Sequence, residues 1–170
     1  TRIVAEPWSI QGFYLGQFPS ASESAPFAWG EWNAHFRDVW RSFVNDDAAR
    51  LNSKEGAVDV GGTLTGSFDV YGDDGRFPFP SLNFVTVHDG FTLHDLVSYD
   101  DKHNEANGQD NHDGTDDNRS WNSGAEGPTE DAAIIELRRR RSRAMIATLM
   151  TSFGAPLLLA GDEIGRSQKG

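Results

Sequence analysis

Three short runs of this chain are apolar throughout rather than alternating: residues 3–5, 82–87 and 156–160. A strand that is apolar on both faces needs cover on both faces. That is the pattern of a parallel sheet held between helices. Each run is followed by a carboxylate, namely Glu6, Asp89 and Asp162. Active sites of α/β barrels and open α/β sheets gather at that C-terminal edge. The chain therefore reads as α/β, with candidate chemistry on one rim of the sheet.

The intervening segments fit this reading. Residues 27–32 form a further short strand. From Asn33, the apolar residues Phe36, Val39, Trp40, Phe43 and Val44 recur at spacings of three and four, which predicts an amphipathic helix closed by Asp46-Asp47. Residues 48–80 read as loop-rich, with Pro78 and Pro80 bracketing a turn. A helix is expected over 131–153, stopped by Gly154. Between His88-Asp89-Gly90 and that helix lies a long polar stretch, residues 101–130. A loop of that length inside a compact domain is usually functional or disordered.

The net charge is −11, so nucleic acid and anionic membrane surfaces are poor partners. No apolar run approaches the roughly 20 residues of a membrane span. There is no cysteine, which removes disulfides and thiolate metal sites and leaves the compartment open. The basic cluster in Glu136-Leu137-Arg138-Arg139-Arg140-Arg141-Ser142-Arg143 is expected to pair with acidic surface. Arg141 falls on the apolar seam with Leu137, Met145 and Thr148, where a structural ion pair is expected.

A single carboxylate at a strand end is usually a solvated edge or a helix cap. Two of these three, however, stand beside Trp or His. A carboxylic acid against an aromatic face loses hydration and can keep its proton near neutral pH. Glu6 beside Trp8 is a candidate for that role. Asp89, hydrogen-bonded by His88, is the candidate ionised partner. An acid and a carboxylate together are the machinery of glycoside hydrolysis, and exposed Trp and Phe would offer stacking faces to sugar rings. The Asp/Asn-rich loop invites calcium, but the EF-hand pattern fits neither Gly108 nor Gly114. Asn118-Arg119-Ser120 matches the glycosylation sequon.

These residues also resemble a known family. Val4-Ala5-Glu6-Pro7-Trp8 is similar to the segment that carries the acid/base glutamate in debranching members of the α-amylase superfamily. Phe84-Val85-Thr86-Val87-His88-Asp89-Gly90 is similar to that superfamily's last catalytic segment. FTLHDLVSYDDKHNEANGQDN, SWNSGAEGPTED and PLLLAGDEIGRSQKG resemble isoamylase-type glycogen debranching enzymes, and the likeness runs from first residue to last.

The resemblance implies a (β/α)8 barrel that cleaves α-1,6 branch linkages with retention of configuration. It implies that Glu6 is the general acid/base, that Asp89 stabilises the transition state, and that His88 and Trp8 bind sugar. Residues 3–5, 27–32, 82–87 and 156–160 would be barrel strands five to eight. The family's nucleophile is an aspartate on the fourth strand with an Arg two residues before it. Such a barrel needs about 250 residues, so residues 1–170 are expected to be a partial catalytic domain, inactive alone. The first half-barrel, an N-terminal β-sandwich and a C-terminal β-domain would lie elsewhere.

Ser9 and Gln11 depart from the family pattern near Trp8. The expected partner is branched α-glucan (glycogen, amylopectin or limit dextrin), with no cofactor beyond a conceivable calcium ion, and the expected location is cytoplasmic. The alternatives are a non-catalytic glucan-binding module and a branching or trehalose-forming relative.

Overall fold

The computed structural model describes residues 3–9, 11–19, 29–45, 59–72 and 78–170. Strand β1 (Ile3–Ala5) is followed by a small antiparallel pair, β2 (Trp8–Ser9) and β3 (Gly12–Phe13). The main sheet continues with β4 (Trp29–Asn33), β5 (Ser81–Asn83) and β6 (Ala155–Pro156). Its order is β1-β4-β5-β6 and every pair is parallel. Strand order across the sheet is thus strand order along the chain. A doubly wound sheet reverses direction at a switch point. This one does not, which makes it compatible with part of a barrel.

Two strands are shorter than their apolar runs predict. The run 82–87 forms a ladder only as far as Asn83, and the run 156–160 only at Pro156. A ladder needs a partner alongside. The last rung is the Leu157 N–H to the Asn83 carbonyl at 2.8 Å, after which the chain turns into a 3₁₀ turn at Asp162–Ile164. Phe84, Val85, Thr86 and Val87 stay buried but carry no ladder. β1 has its expected bounds but not its expected cover, since Ile3 and Val4 are 40% and 48% exposed. Among the described residues it is the outer strand and pairs on one side only. In the strand expected over 27–32, residues 27 and 28 lie outside the described residues, as do Asp46-Asp47 after the first helix.

Helix α1 (Ala34–Val44) begins where the sequence places it, because the Asn33 side chain accepts from the Phe36 N–H and caps it. Two short helices, α2 (Val60–Leu64) and α3 (Phe68–Tyr71), occupy part of the stretch read as loop. Helix α4 (Leu93–Leu96) is capped by Thr92. Helix α5 (Ala132–Thr151) is capped by Asp131, which accepts from the N–H groups of Ala133 and Ile134.

Phe36 and Trp40 of α1, Val85, the segment around α4, and Met145 and Leu149 of α5 form the main core. A second cluster joins Ala34, Phe84 and Val87 to Trp8, Trp32 and Leu157. Within the sheet lies a closed polar network. Asn33 Nδ2 donates to Ser67 and Ser81, Ser81 to Asn83, and Asn83 to the Phe153 carbonyl. The polar members satisfy one another, as buried polar groups must. Gly154 (φ +119°) turns beside this network, and a Cβ there would stand 2.8 Å from Asn83 Nδ2 and 2.9 Å from the Ser81 carbonyl.

The long polar stretch contains one 3₁₀ turn, Glu105–Asn107, and is otherwise irregular but internally bonded. Lys102 Nζ reaches Asp116 at 2.6 Å and the Asp113 carbonyl at 2.9 Å. Asn107 donates to Asp113, and Asn111 to Glu105. Among the helical arginines, Arg143 has the expected acidic partner, pairing with Glu136 at 2.7 Å, whereas two others do not. Arg138 donates to the carbonyls of Gly127, Asn122 and Ala125, not to acids. Arg141 makes no ion pair among the described residues: it donates to the Trp121 carbonyl, Ser123 and Asn45, and its guanidinium lies 4.3 Å from the Trp121 ring centroid. Burial pushes the Arg141 guanidinium down to about 10.

Glu126 joins the two ends of this stretch. It accepts from the N–H groups of Asp100 and Asp101 and from Asn122, and it pairs with His103 at 2.9 Å. Burial alone would raise its pKa, but these hydrogen bonds outweigh burial and hold it below the ordinary glutamate value. A carboxyl depressed in the folded state stabilises fully above its unfolded pKa, near 4.5 here, and loses that contribution as pH falls through the folded value. The protection of the Asp100 and Asp101 amides, taken relative to their intrinsic exchange rate at each pH, should therefore fall on acidification through this window. In Glu126→Gln that pH dependence should be absent, and a variant profile matching wild type would contradict the assignment.

Candidate functional site

Glu6 leaves the sheet directly after β1 and is exposed. Its carboxylate takes part in no hydrogen bond or ion pair among the described residues. Trp8 does not bury it. The Trp8 N–H donates to the Glu6 carbonyl at 2.9 Å, while the indole stacks on Phe13 with centroids 6.3 Å apart and planes 11° apart. The aromatic desolvation expected for Glu6 is therefore not what the structure has. The hairpin of β2 and β3 pairs Trp8 with Phe13 and turns the ring toward its neighbours instead.

From Trp8 a series of rings crosses the C-terminal side of the sheet. Trp8 lies 6.2 Å from Trp32 of β4, and Trp32 lies 5.7 Å from His88 beyond β5. These rings connect the exits of β1, β4 and β5. His88 and Asp89 are both exposed. No hydrogen bond joins the two side chains, so the expected imidazole contact to Asp89 is replaced by the packing of His88 near Trp32.

Asp89 sits where two clefts meet. One, of ≈330 Å³, is bounded by Trp8, Phe13, Arg37, Asp38 and Arg41 together with Asp89. The other, of ≈460 Å³, is bounded by His88, Lys102, His103, Asn104 and Asn107 together with Asp89. Three of the four sequence-predicted residues, Trp8, His88 and Asp89, thus share connected clefts, and Glu6 is outside the lining of both. A larger cavity of ≈880 Å³, near His94, Pro128 and Arg138, contains none of the four. Size alone does not select it, because its walls bring no free carboxylate together.

Asp162 was read as a third rim carboxylate and is instead a buried strut. It accepts from the Thr86 hydroxyl and from the Leu93 N–H at 3.1 Å. It cannot face substrate. Asn118, the asparagine of the sequon, is also buried, with its Oδ1 accepting from the Phe91 N–H at 2.9 Å. A glycan has no room at that side chain. Among the described residues, no group of three or more His, Asp or Glu side chains is gathered to hold a metal ion. No helix among them is long and apolar enough to cross a membrane.

Sequence reasoning missed the floor of the smaller cleft, Arg37, Asp38 and Arg41 on α1. Arg37 Nε pairs with Asp38 at 2.7 Å, and Arg119 reaches Asp38 at 3.5 Å. Arg37 and Arg41 each follow an apolar residue, Phe36 and Trp40, and flank the apolar stripe where an amphipathic helix ordinarily carries charge, so nothing in the pattern singles them out.

No model of a known protein family matches the chain. Individual relatives match it throughout. The glycogen operon protein GlgX homolog of Mycobacterium tuberculosis (strain ATCC 25618 / H37Rv) is 50% identical over 171 residues, covering 99% of this chain. The glycogen debranching enzyme of Erwinia tasmaniensis is 46% identical over 177 residues, and the chloroplastic isoamylase 3 of Oryza sativa subsp. japonica is 44% identical over 171. The chain is a homologue of one segment of these proteins. It spans 22%, 24% and 20% of their respective lengths.

In this segment the turn that presents Asp89 depends on Gly90. Its φ is +69°, and a Cβ there would meet Asn118 Oδ1 at 2.6 Å. Gly90→Ala should destabilise by about 1–2 kcal/mol for the left-handed conformation alone, with the clash adding to it. Chemical denaturation of the full-length protein would measure this, and an unchanged midpoint would show that the turn tolerates a side chain.

Proposed function

We propose that residues 1–170 are the second half of a (β/α)8 barrel, strands five to eight, in a glycosidase that cleaves α-1,6 branch linkages of glycogen or related α-glucans with retention of configuration. The monotonic parallel order β1-β4-β5-β6 supports the barrel. The exposed flank of β1 is where a fourth strand would pair, and Ile3 and Val4 would then be covered. On this reading the first half-barrel, an N-terminal β-sandwich and a C-terminal β-domain belong to the whole enzyme outside these residues. The names of the relatives support the substrate class.

The observation that carries the proposal is the placement of two exposed carboxylates. Glu6 follows β1 and Asp89 follows β5, at the same end of one parallel sheet, on either side of the ring series Trp8–Trp32–His88. Among the described residues neither carboxylate is engaged in hydrogen bonds, which leaves both open to a ligand.

The chemistry follows from those positions. Glu6 gives its proton to the glycosidic oxygen as the C1–O bond breaks. A carboxylate supplied from outside residues 1–170 attacks C1 and forms a glycosyl ester. Glu6, now ionised, takes a proton from water, and that water hydrolyses the ester and restores both groups. Asp89 offsets the positive charge that spreads over C1 and the ring oxygen. Trp8 and His88 provide stacking and hydrogen-bonding surfaces for neighbouring glucose units. Carboxylates and water suffice for this sequence, and no cofactor is invoked.

In the full-length protein, Glu6→Gln should lower kcat for reducing-end release from branched glucan by about 10²–10⁴-fold, the span of general acid catalysis. Asp89→Asn should lower it by about 10²–10³-fold, as for loss of one electrostatic stabiliser. Products should be linear α-1,4 chains of the same anomeric configuration as the bond cleaved. Wild-type turnover in either variant, or products that keep their branch points, would overturn the proposal.

A further inference from the structure

We propose that Arg41 is a positioning residue for Asp89, acting from the helix beneath the site; the inference rests on the reading of Asp89 given above. Arg41 is only 4% exposed and lies on the buried face of α1 beside Phe36, Val39 and Trp40. Its Nε donates to the Val85 carbonyl at 2.7 Å, four residues before Asp89. Its Nη1 donates to the Asn118 carbonyl at 3.0 Å. Asn118 in turn holds the other side of the turn, since its Oδ1 accepts from the Phe91 N–H and its Nδ2 donates to the Thr115 carbonyl.

The guanidinium fork therefore ties the backbone entering the His88-Asp89-Gly90 turn to the loop that clamps the backbone leaving it. Asp89 is presented between two anchors that one side chain joins. The same side chain borders the ≈330 Å³ cleft that Asp89 also borders, so a fixed positive charge stands near the carboxylate.

Burial lowers the Arg41 guanidinium to about 9, the mark of a charge kept where solvent does not help it. The guanidinium satisfies two carbonyls that an apolar side chain would leave unpaired, so Arg41 serves stability and the placement of Asp89 through the same bonds, and kinetics separates the two roles. The fork matters as well as the charge, because lysine offers no planar pair of donors to bridge two carbonyls.

The test uses the full-length enzyme and branched glucan. Arg41→Met should melt cooperatively and lose about 10²-fold in kcat, the scale expected when a reacting group is displaced by an ångström, with KM nearly unchanged. Arg41→Lys should also fall in kcat. Arg41→Ala leaves a gap of guanidinium size, so millimolar guanidinium should restore part of its kcat. It should restore none in Arg41→Met, whose side chain fills the gap.

Arg41→Met with wild-type kcat beside an inactive Asp89→Asn overturns the positioning role and leaves the reading of Asp89 standing. An active Asp89→Asn overturns that reading and this inference together. If Arg41→Met does not melt cooperatively, wild-type kcat in Arg41→Lys, or no guanidinium response in Arg41→Ala, overturns the positioning role.

Discussion

Backbone carbonyls that leave a sheet while still buried must find donors elsewhere, and the rest of this structure depends on how they do so. After Asn83 the chain stays buried through Val87 but has no ladder. The turns and loops that follow have few regular hydrogen bonds of their own. An unpaired buried carbonyl costs about as much as a lost hydrogen bond. The donors come from two helices as guanidiniums. Arg41 of α1 serves Val85 and Asn118, Arg138 of α5 serves Asn122, Ala125 and Gly127, and Arg141 serves Trp121. One arginine can satisfy several carbonyls pointing in different directions, which suits irregular backbone. The helices therefore act as scaffolds with side-chain donors as well as apolar faces.

This explains the composition of α5. Its buried stripe is Arg138, Arg141, Met145 and Leu149. The half toward Leu149 packs on the main core, and the half toward Arg138 faces loop backbone. The same division occurs on α1, where Phe36 and Trp40 meet the core and Arg41 meets carbonyls. A helix that covered only apolar surface would need no arginine in its seam. These two cover a sheet that ends early, and the arginines take over where the ladder stops.

What the sequence makes legible follows the same boundary. The parallel α/β class, the start of α1 at Asn33 and the extent of α5 depend on local pattern and capping, and they are readable. Ladder length depends on partners, so the runs 82–87 and 156–160 were legible as buried and not as partly unladdered. Charge in the seam of α5 was legible, but its partners were not: an arginine run beside an acidic chain suggests ion pairs, whereas the carbonyls it serves have no residue-type signature. For the site, Trp8, His88 and Asp89 do meet in connected clefts, while Arg37, Asp38 and Arg41 come from a helix that reads as simple cover.

The carboxylates themselves divide by their hydrogen bonds. Asp162 and Asp95 are buried and fully engaged, Asp162 with Thr86 and the Leu93 N–H, Asp95 with Ser167 and the Gln168 N–H. A carboxylate bonded in that way is committed to holding two segments together, and removing its partners would release structure rather than chemistry. Glu6 and Asp89 are exposed and, among the described residues, unbonded, at the exits of strands that the sheet fixes relative to one another. Position after a strand is shared by Glu6, Asp89 and Asp162, so it cannot separate them. Freedom from hydrogen bonds does, because only an unengaged carboxylate can exchange water for substrate without dismantling the fold that positions it.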